Sequence, residues 1–336
     1  MKSSKAIFAI GAIVALALTG CANSASEAEP SAAAGSEAVS LGRVNIIAPA
    51  APGSGWDQSA RAVQDALQTA GVVDSAEVTN VPGASGTVAL AQVAPQEGES
   101  GLLVMSGLAM MSGIITNGTG VTLDNLTPIA RLIGESEVIV VPEGSPYEDL
   151  DSLFAAIKKD PASISIAGGS AGSADHVFIG LLAQEYGIDP TEINYVAFSG
   201  GGEATTALLG NQVVAGIAGT GEFQEMILAG KLHGLVVSSL EPVASLPDVP
   251  TMTDAGLPDL EFANWRSIMA PPGITAAEKE AYIAAIVTMH ASAGWKETLT
   301  TNAWQDLLIT GSEFGDWLDT ENERVTGVLT DLGLAQ

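Results

Sequence analysis

The sequence predicts an α/β protein built as two Rossmann-like lobes joined by two crossover segments. Three observations carry that expectation. Short runs rich in Val, Ile and Ala recur along the chain, and most end in Gly, Ser or Pro punctuation. Stretches with helical apolar spacing follow the punctuation, and strands alternating with helices build parallel sheets buried on both faces. At 336 residues, the chain is long enough for two domains of roughly 150 residues.

The elements follow in order. The run VNIIA (44–48) is a strand, 49–55 is a Pro/Gly turn, and 56–70 is a helix in which Ala60, Val63, Leu67 and Ala70 recur every three or four residues until Gly71 stops it. A strand at 77–80, a glycine turn, a helix at 87–94 and a buried strand LLVMS (102–106) come next. VIVV (138–141) opens a second series: helix 150–159, strand 163–167, helix 174–186, strand 193–198, helix 203–209, strand 213–218, helix 222–229 and strand 235–239. The chain crosses back near 265–272, and 275–332 reads as largely helical. Crossovers are expected at 138–144 and 262–272. Lobe 1 is therefore expected to comprise 41–141 plus 266–336, and lobe 2 142–265.

Charge and composition remove several classes. Lys and Arg number 12 against 39 Asp and Glu, for a net charge of −27. A nucleic-acid binder needs basic residues to displace counterions. One cysteine and three histidines give no disulfide framework and too few ligands for a Cys/His zinc site. The apolar fraction of 47% with only 15% charged residues excludes intrinsic disorder of the whole chain. No metal and no cofactor are expected.

The first 20 residues read as a lipoprotein signal peptide. Lys2 and Lys5 precede an apolar run of 13 residues, 6–18, which is too short for the ~20 residues that span a bilayer. Leu18-Thr19-Gly20-Cys21 resembles a bacterial lipobox, which implies that Cys21 is lipid-modified and becomes the mature N-terminus. Residues 21–40, rich in Ala, Ser and Glu, then form a flexible tether. The expected location is extracytoplasmic, lipid-anchored to the cell membrane through Cys21.

Four strands end in glycine- and serine-rich turns that open helices. In open α/β sheets ligands bind beyond the carboxyl ends of strands, and helix N-termini there offer unpaired N–H groups and partial positive charge. The candidate ligand contacts are Gly53, Ser54, Gly55, Trp56 and Asp57 in the first turn, Ser85 and Gly86 in the second, and Ser106 at a strand end. In the second series they are Ser170, Gly172, Ser173 and His176, then Ser199, Gly200, Gly201 and Gly202. No turn matches a nucleotide motif: GxxxxGK[ST] is absent, and Gly53-Ser54-Gly55 lacks the third glycine of the dinucleotide fingerprint. Residues 168–172 fit GxSxG, the nucleophile elbow, which sets up a competing reading as a serine hydrolase using Ser170. Its triad histidine would have to be His233 or His290, and neither sits in an evident loop constellation.

Six segments in order resemble the substrate-binding proteins of tripartite tricarboxylate transporters, also called Bug proteins. They are APAAPGSGWDQSAR (48–61), NVPGASGTVA (80–89), LTPIARL (126–132), AGSADHVFIGLL (171–182), AFSGGGEATTALLG (197–210) and LPDVPTMTDAGLPDLEFANWRSIMAPPG (246–273). Where the family's second motif ends in glycine, this chain has Ala89. The resemblance implies a two-lobed type II periplasmic-binding-protein-like fold that is not an enzyme. It also implies a small carboxylate ligand held by main-chain N–H groups, hydroxyls and waters, and the GWD, FSGGGE and NWR versions favour citrate or a related di- or tricarboxylate. The partners implied are two integral membrane transporter subunits, with the receptor itself a monomer. A ligand-presenting sensor for a membrane signalling receptor is the competing role.

Single residues carry two readings each. Trp56 either walls the cleft or packs the helix start. Asp57 and Arg61, four apart, fit an exposed ion pair, while the resemblance favours Asp57 as the organiser of the glycine turn. His176 is placed in the first turn of a helix, where it could meet an anion. Glu203 complements a helix N-terminus. Arg266 either binds ligand or braces the return crossover, and bracing is the expectation.

Overall fold

The computed structural model describes residues 41–198 and 201–335. The leader, Cys21, the tether, Ser199 and Gly200 lie outside the described residues. The element order is β1 (Arg43–Ala48), α1 (Gly55–Thr69), β2 (Ser75–Asn80), α2 (Thr87–Val93), β3 (Leu102–Gly107), α3 (Leu108–Asn117), β4 (Thr127–Glu135), β5 (Glu137–Pro142), α4 (Leu150–Lys159), β6 (Ser165–Gly168) and α5 (Ala174–Glu185). It continues with β7 (Asn194–Ala197), α6 (Gly201–Leu209), β8 (Ala215–Gly219), α7 (Thr220–Leu228), β9 (Leu232–Val237), β10 (Asn264–Ala270), α8 (Ala276–His290), α9 (Ala293–Thr301), β11 (Gln305–Thr310) and α10 (Gly311–Asp331).

These elements form two sheets, ordered β11-β4-β10-β3-β1-β2 and β7-β6-β8-β5-β9. Each has a parallel half, β2-β1-β3 and β7-β6-β8, built from strand–turn–helix units; β1, β3, β6 and β8 are buried along most of their length, while the edge strands β2 and β7 are partly exposed. The other half of each sheet is antiparallel. β10 runs against both β3 and β4, β11 against β4, and β5 against both β8 and β9. The parallel pairing expected from the alternation holds for the β2-β1-β3 and β7-β6-β8 halves, and each sheet as a whole is mixed. β4 and β5 follow each other without a helix, and β10 returns from the other lobe, so neither can enter its sheet by a right-handed crossover.

Local sequence pattern does not reveal α3 or β4, and β11 falls within the stretch expected to be helical. α3 is apolar on most of its faces, since Leu108, Met110, Met111 and Ile114 are all buried, so it shows little amphipathic period. β11 is a six-residue edge strand set off by turns at Ala303 and Gly311, both with positive φ.

The chain leaves the first sheet at Ser136, between β4 and β5, and returns to it at Asn264. The first crossover expected at 138–144 instead falls on β5, because Pro142 punctuates that run at its far end. Ser238 stitches the two passages together: its hydroxyl accepts from the Glu137 N–H at 2.9 Å and donates to the Phe262 carbonyl at 2.6 Å. Helix α10 packs on β4 and α3 of the first lobe and on α5 of the second. Its buried Glu321 accepts from the Trp265 indole at 3.1 Å. Among the described residues no helix is long and apolar enough to cross a membrane.

Candidate functional site

The first turn is organised by one carboxylate. Asp57, 3% exposed, accepts from the Gly53 N–H and from Asn80 Nδ2, each at 2.8 Å, and from Arg61 Nε at 3.0 Å. It thereby ties the turn before α1 to the end of β2. The Arg61 guanidinium and these N–H donors outweigh the effect of burial and hold the Asp57 carboxyl down at about 2. Ser54 caps α1 by accepting from the Asp57 N–H, so its hydroxyl serves the backbone.

Gly55 then lies flat against Arg266. A Cβ at Gly55 would come within 2.5 Å of Arg266 Nη2, so only glycine admits this approach. Arg266, 7% exposed, reaches from β10 and pairs with Glu135 at 2.7 Å. Glu135 also accepts from the Trp304 indole at 3.0 Å.

Gly55, Arg266 and Glu135 open onto a cavity of about 590 Å³ between the two sheets. The first lobe contributes Gly55, Gln58, Glu135, Asn264, Arg266, Asn302 and Ala303. The second contributes Glu137, Gly169, Ser170, Ser173, Asp175, Gly219, Thr220, Gly221 and Glu222. A somewhat larger cavity of about 690 Å³ lies between the 239–245 segment, α9 and β11, but it is mostly apolar and no glycine turn reaches it. The polar cavity is the candidate site, because strand ends and helix N-termini of both lobes converge there.

The wall from the second lobe is acidic. Glu137 is 1% exposed, and burial, reinforced by the neighbouring Asp175, raises its carboxyl well above the ordinary range. Burial raises Asp175 too, offset by the Gly169 N–H that donates to it. Glu137 and Asp175 thus stand side by side, each held above the ordinary carboxyl range by burial.

Of the sequence candidates, Gly55, Ser170 and Ser173 line this cavity. Trp56 packs against Gly86 and joins both neighbouring core clusters. Ser85 sits at positive φ against Gly113 of α3, and Gly172 faces Thr116 of the other lobe. Ser106 is wholly buried, hydrogen-bonded to Ser267 at 2.6 Å inside the first sheet. His176 stacks on Tyr195 with centroids 4.0 Å apart and accepts at Nδ1 from the Gly172 N–H; burial lowers it to about 4, so the ring is neutral. Gly201 and Gly202 open α6. His233 bonds the Glu148 carbonyl and His290 bonds Asp306, so neither histidine is joined to Ser170.

Glu135, Glu137, Asp175, Glu222 and the Gly219–Gly221 turn also line the cavity and are not among the residues expected from sequence. The turn carried a usable signal, since β8 and α7 flank it in the same strand–glycine–helix pattern as the others. Glu135 and Glu137 carried none, because two acids around a serine read as ordinary surface.

The profile described as "Tripartite tricarboxylate transporter family receptor" matches residues 59–332. The chain is 28% identical over 238 residues to BugT of Bordetella pertussis, covering 68% of this chain and 71% of that one. A TctC solute-binding protein from Polaromonas superposes with a TM-score of 0.76 at 23% identity, covering 87% of this chain and 99% of its own. Two Rhodopseudomonas palustris structures share the fold. MatC with bound malate has a TM-score of 0.66 at 23% identity, covering 86% and 99% of the two chains. A second protein with adipate has a TM-score of 0.71 at 20% identity, covering 88% and 98%. The chain belongs to the tripartite tricarboxylate transporter receptor family, whose members are two-lobed solute-binding receptors and not enzymes.

Proposed function

We propose that this receptor captures a small carboxylate, citrate or a related di- or tricarboxylate, in the cavity between its lobes. It hands the ligand to the two membrane subunits of a secondary transporter. The observation that carries the reading is the convergence of Gly55, Ser170 and the Gly219–Gly221 turn on one cavity. Helix N-termini at such turns offer N–H donors to an anion. The malate and adipate held by the two Rhodopseudomonas palustris relatives are ligands of that class.

Thermal-shift titration of the purified receptor with citrate, tricarballylate, succinate, malate, glutamate and aspartate tests this. Ligand at 100 times its Kd adds about 2.7 kcal/mol to apparent stability. A melting curve unmoved by every member, with no heat in calorimetry, defeats the carboxylate reading. Anchoring through Cys21 is part of the same proposal, and Cys21→Ser is expected to release the receptor from the membrane fraction. Retention of that variant in the membrane argues against a lipid anchor at this position.

A further inference from the structure

The chain crosses from the first lobe to the second through a single residue. β4 ends at Glu135 and β5 begins at Glu137, so Ser136 alone lies between them. A change in the angle between the lobes is absorbed at this point and at the return passage.

Two consecutive residues at the entry to β11 grip the crossover from the first lobe. The Trp304 indole donates to Glu135 Oε1 at 3.0 Å, and Gln305 Nε2 donates to Ser136 Oγ at 2.6 Å. Gln305 lies opposite Gly134 in the β11–β4 ladder. A Cβ at Gly134 would come within 2.5 Å of Leu307 Cδ1 and 3.2 Å of Gln305 Oε1, so glycine there lets the side chains of β11 lie across the end of β4.

The second lobe holds the same residue from its other side. The Thr220 N–H donates to the Ser136 carbonyl at 2.8 Å, and Glu137 lies opposite Gly219 in the β5–β8 ladder. Gly219, Thr220 and Gly221 line the candidate site, whereas Trp304 and Gln305 face the larger apolar cavity.

We propose that Trp304 and Gln305 are positioning residues that set the angle between the lobes. By holding Glu135 and Ser136 from the first lobe, they place the Gly219–Gly221 turn opposite Gly55 and Arg266. The link from this angle to ligand capture rests on the carboxylate reading above; the angle itself does not.

Electron–electron double resonance between spin labels at Gln68→Cys on α1 and Glu185→Cys on α5, both exposed positions, measures the angle without ligand. Cys21→Ser in the same chain removes its one native thiol. Trp304→Phe keeps a ring and loses the indole N–H, and Gln305→Met keeps the length and loses the amide donor. Each is expected to shift or broaden the interlobe distance distribution. Each is also expected to weaken citrate or malate binding in calorimetry by about threefold or more. Ser136→Ala added to Gln305→Met is expected to do no more than either alone, because both remove one bond.

A role in stability alone would lower the melting temperature and leave the distances in place, so unchanged distances in both single variants overturn the proposal. Additive shifts in the pair overturn the path through Ser136. Shifted distances in a receptor that binds neither citrate nor malate support the positioning role and count against the carboxylate reading instead.

Discussion

Asp57→Asn removes the charge that organises the first turn while leaving its shape. In the wild type the carboxylate draws three donors from three places, the Gly53 N–H, Asn80 and Arg61. Holding the carboxyl at about 2 instead of the ordinary value near 3.9 corresponds to about 2.5 kcal/mol at most. Arg61 is half exposed, at 51%, and solvent screens that partner, so about 1–2 kcal/mol is the realistic loss. Because the folded value lies below the unfolded one, this stability is fully present above about pH 4 and disappears as pH falls toward 2. Urea unfolding of wild type and variant across that range measures it. The two curves should differ by about 1–2 kcal/mol at pH 7 and converge as pH falls to about 2. A difference that persists unchanged to the lowest pH would mean the amide fails for steric reasons, and no difference at pH 7 would mean Asp57 organises nothing.

Gly55→Ala places a methyl on Arg266, so affinity for the best carboxylate of the panel should drop at least about fivefold with about 1 kcal/mol or less lost in stability; titration calorimetry beside a melt checks both. Ser238→Ala strands the Glu137 N–H and the Phe262 carbonyl, a loss of about 1–3 kcal/mol in denaturant unfolding, and a neutral result would show the two passages are not coupled there. His176, held down to about 4 by burial, should remain neutral by imidazole NMR from pH 8 to pH ~5. Its unfolded form binds a proton first, so His176 stabilises fully above about pH 6.5 and progressively less toward pH 4. His176→Gln should flatten that part of the pH profile.

The parallel halves of both sheets were legible in sequence because each unit declares itself three times, by an apolar run, a glycine turn and an amphipathic helix. α1 shows this best: Ala60, Val63 and Leu67 are all buried at helical spacing, and Ser54 caps it. β4, β10 and β11 carry no such redundancy. Their antiparallel pairing depends on where the chain lies after its second passage, a long-range property that no local window contains. Asp57 was legible as a turn organiser, since the motif places it four residues after Gly53. Ser106 was not legible as a buried partner, because its hydrogen bond goes to Ser267, 161 positions away. Glu137 looks like any exposed acid until β5 is placed at the centre of its sheet, between β8 and β9.

The net charge of −27 seems at odds with an anionic ligand, and the cavity resolves the conflict by distance. Loss of the leader with its two lysines would make the chain more acidic still, yet exposed carboxylates are screened beyond roughly 8 Å at physiological salt. Inside the cavity the balance is set by a few groups at contact range. Glu135 is held by Arg266 and the Trp304 indole, burial beside Asp175 raises the Glu137 carboxyl well above the ordinary range, and the turn before α1 brings its backbone against the guanidinium. Anion binding therefore does not require a positive protein. It requires that the acids nearest the ligand be paired or protonated, and that the glycine turn let Arg266 lie where it does.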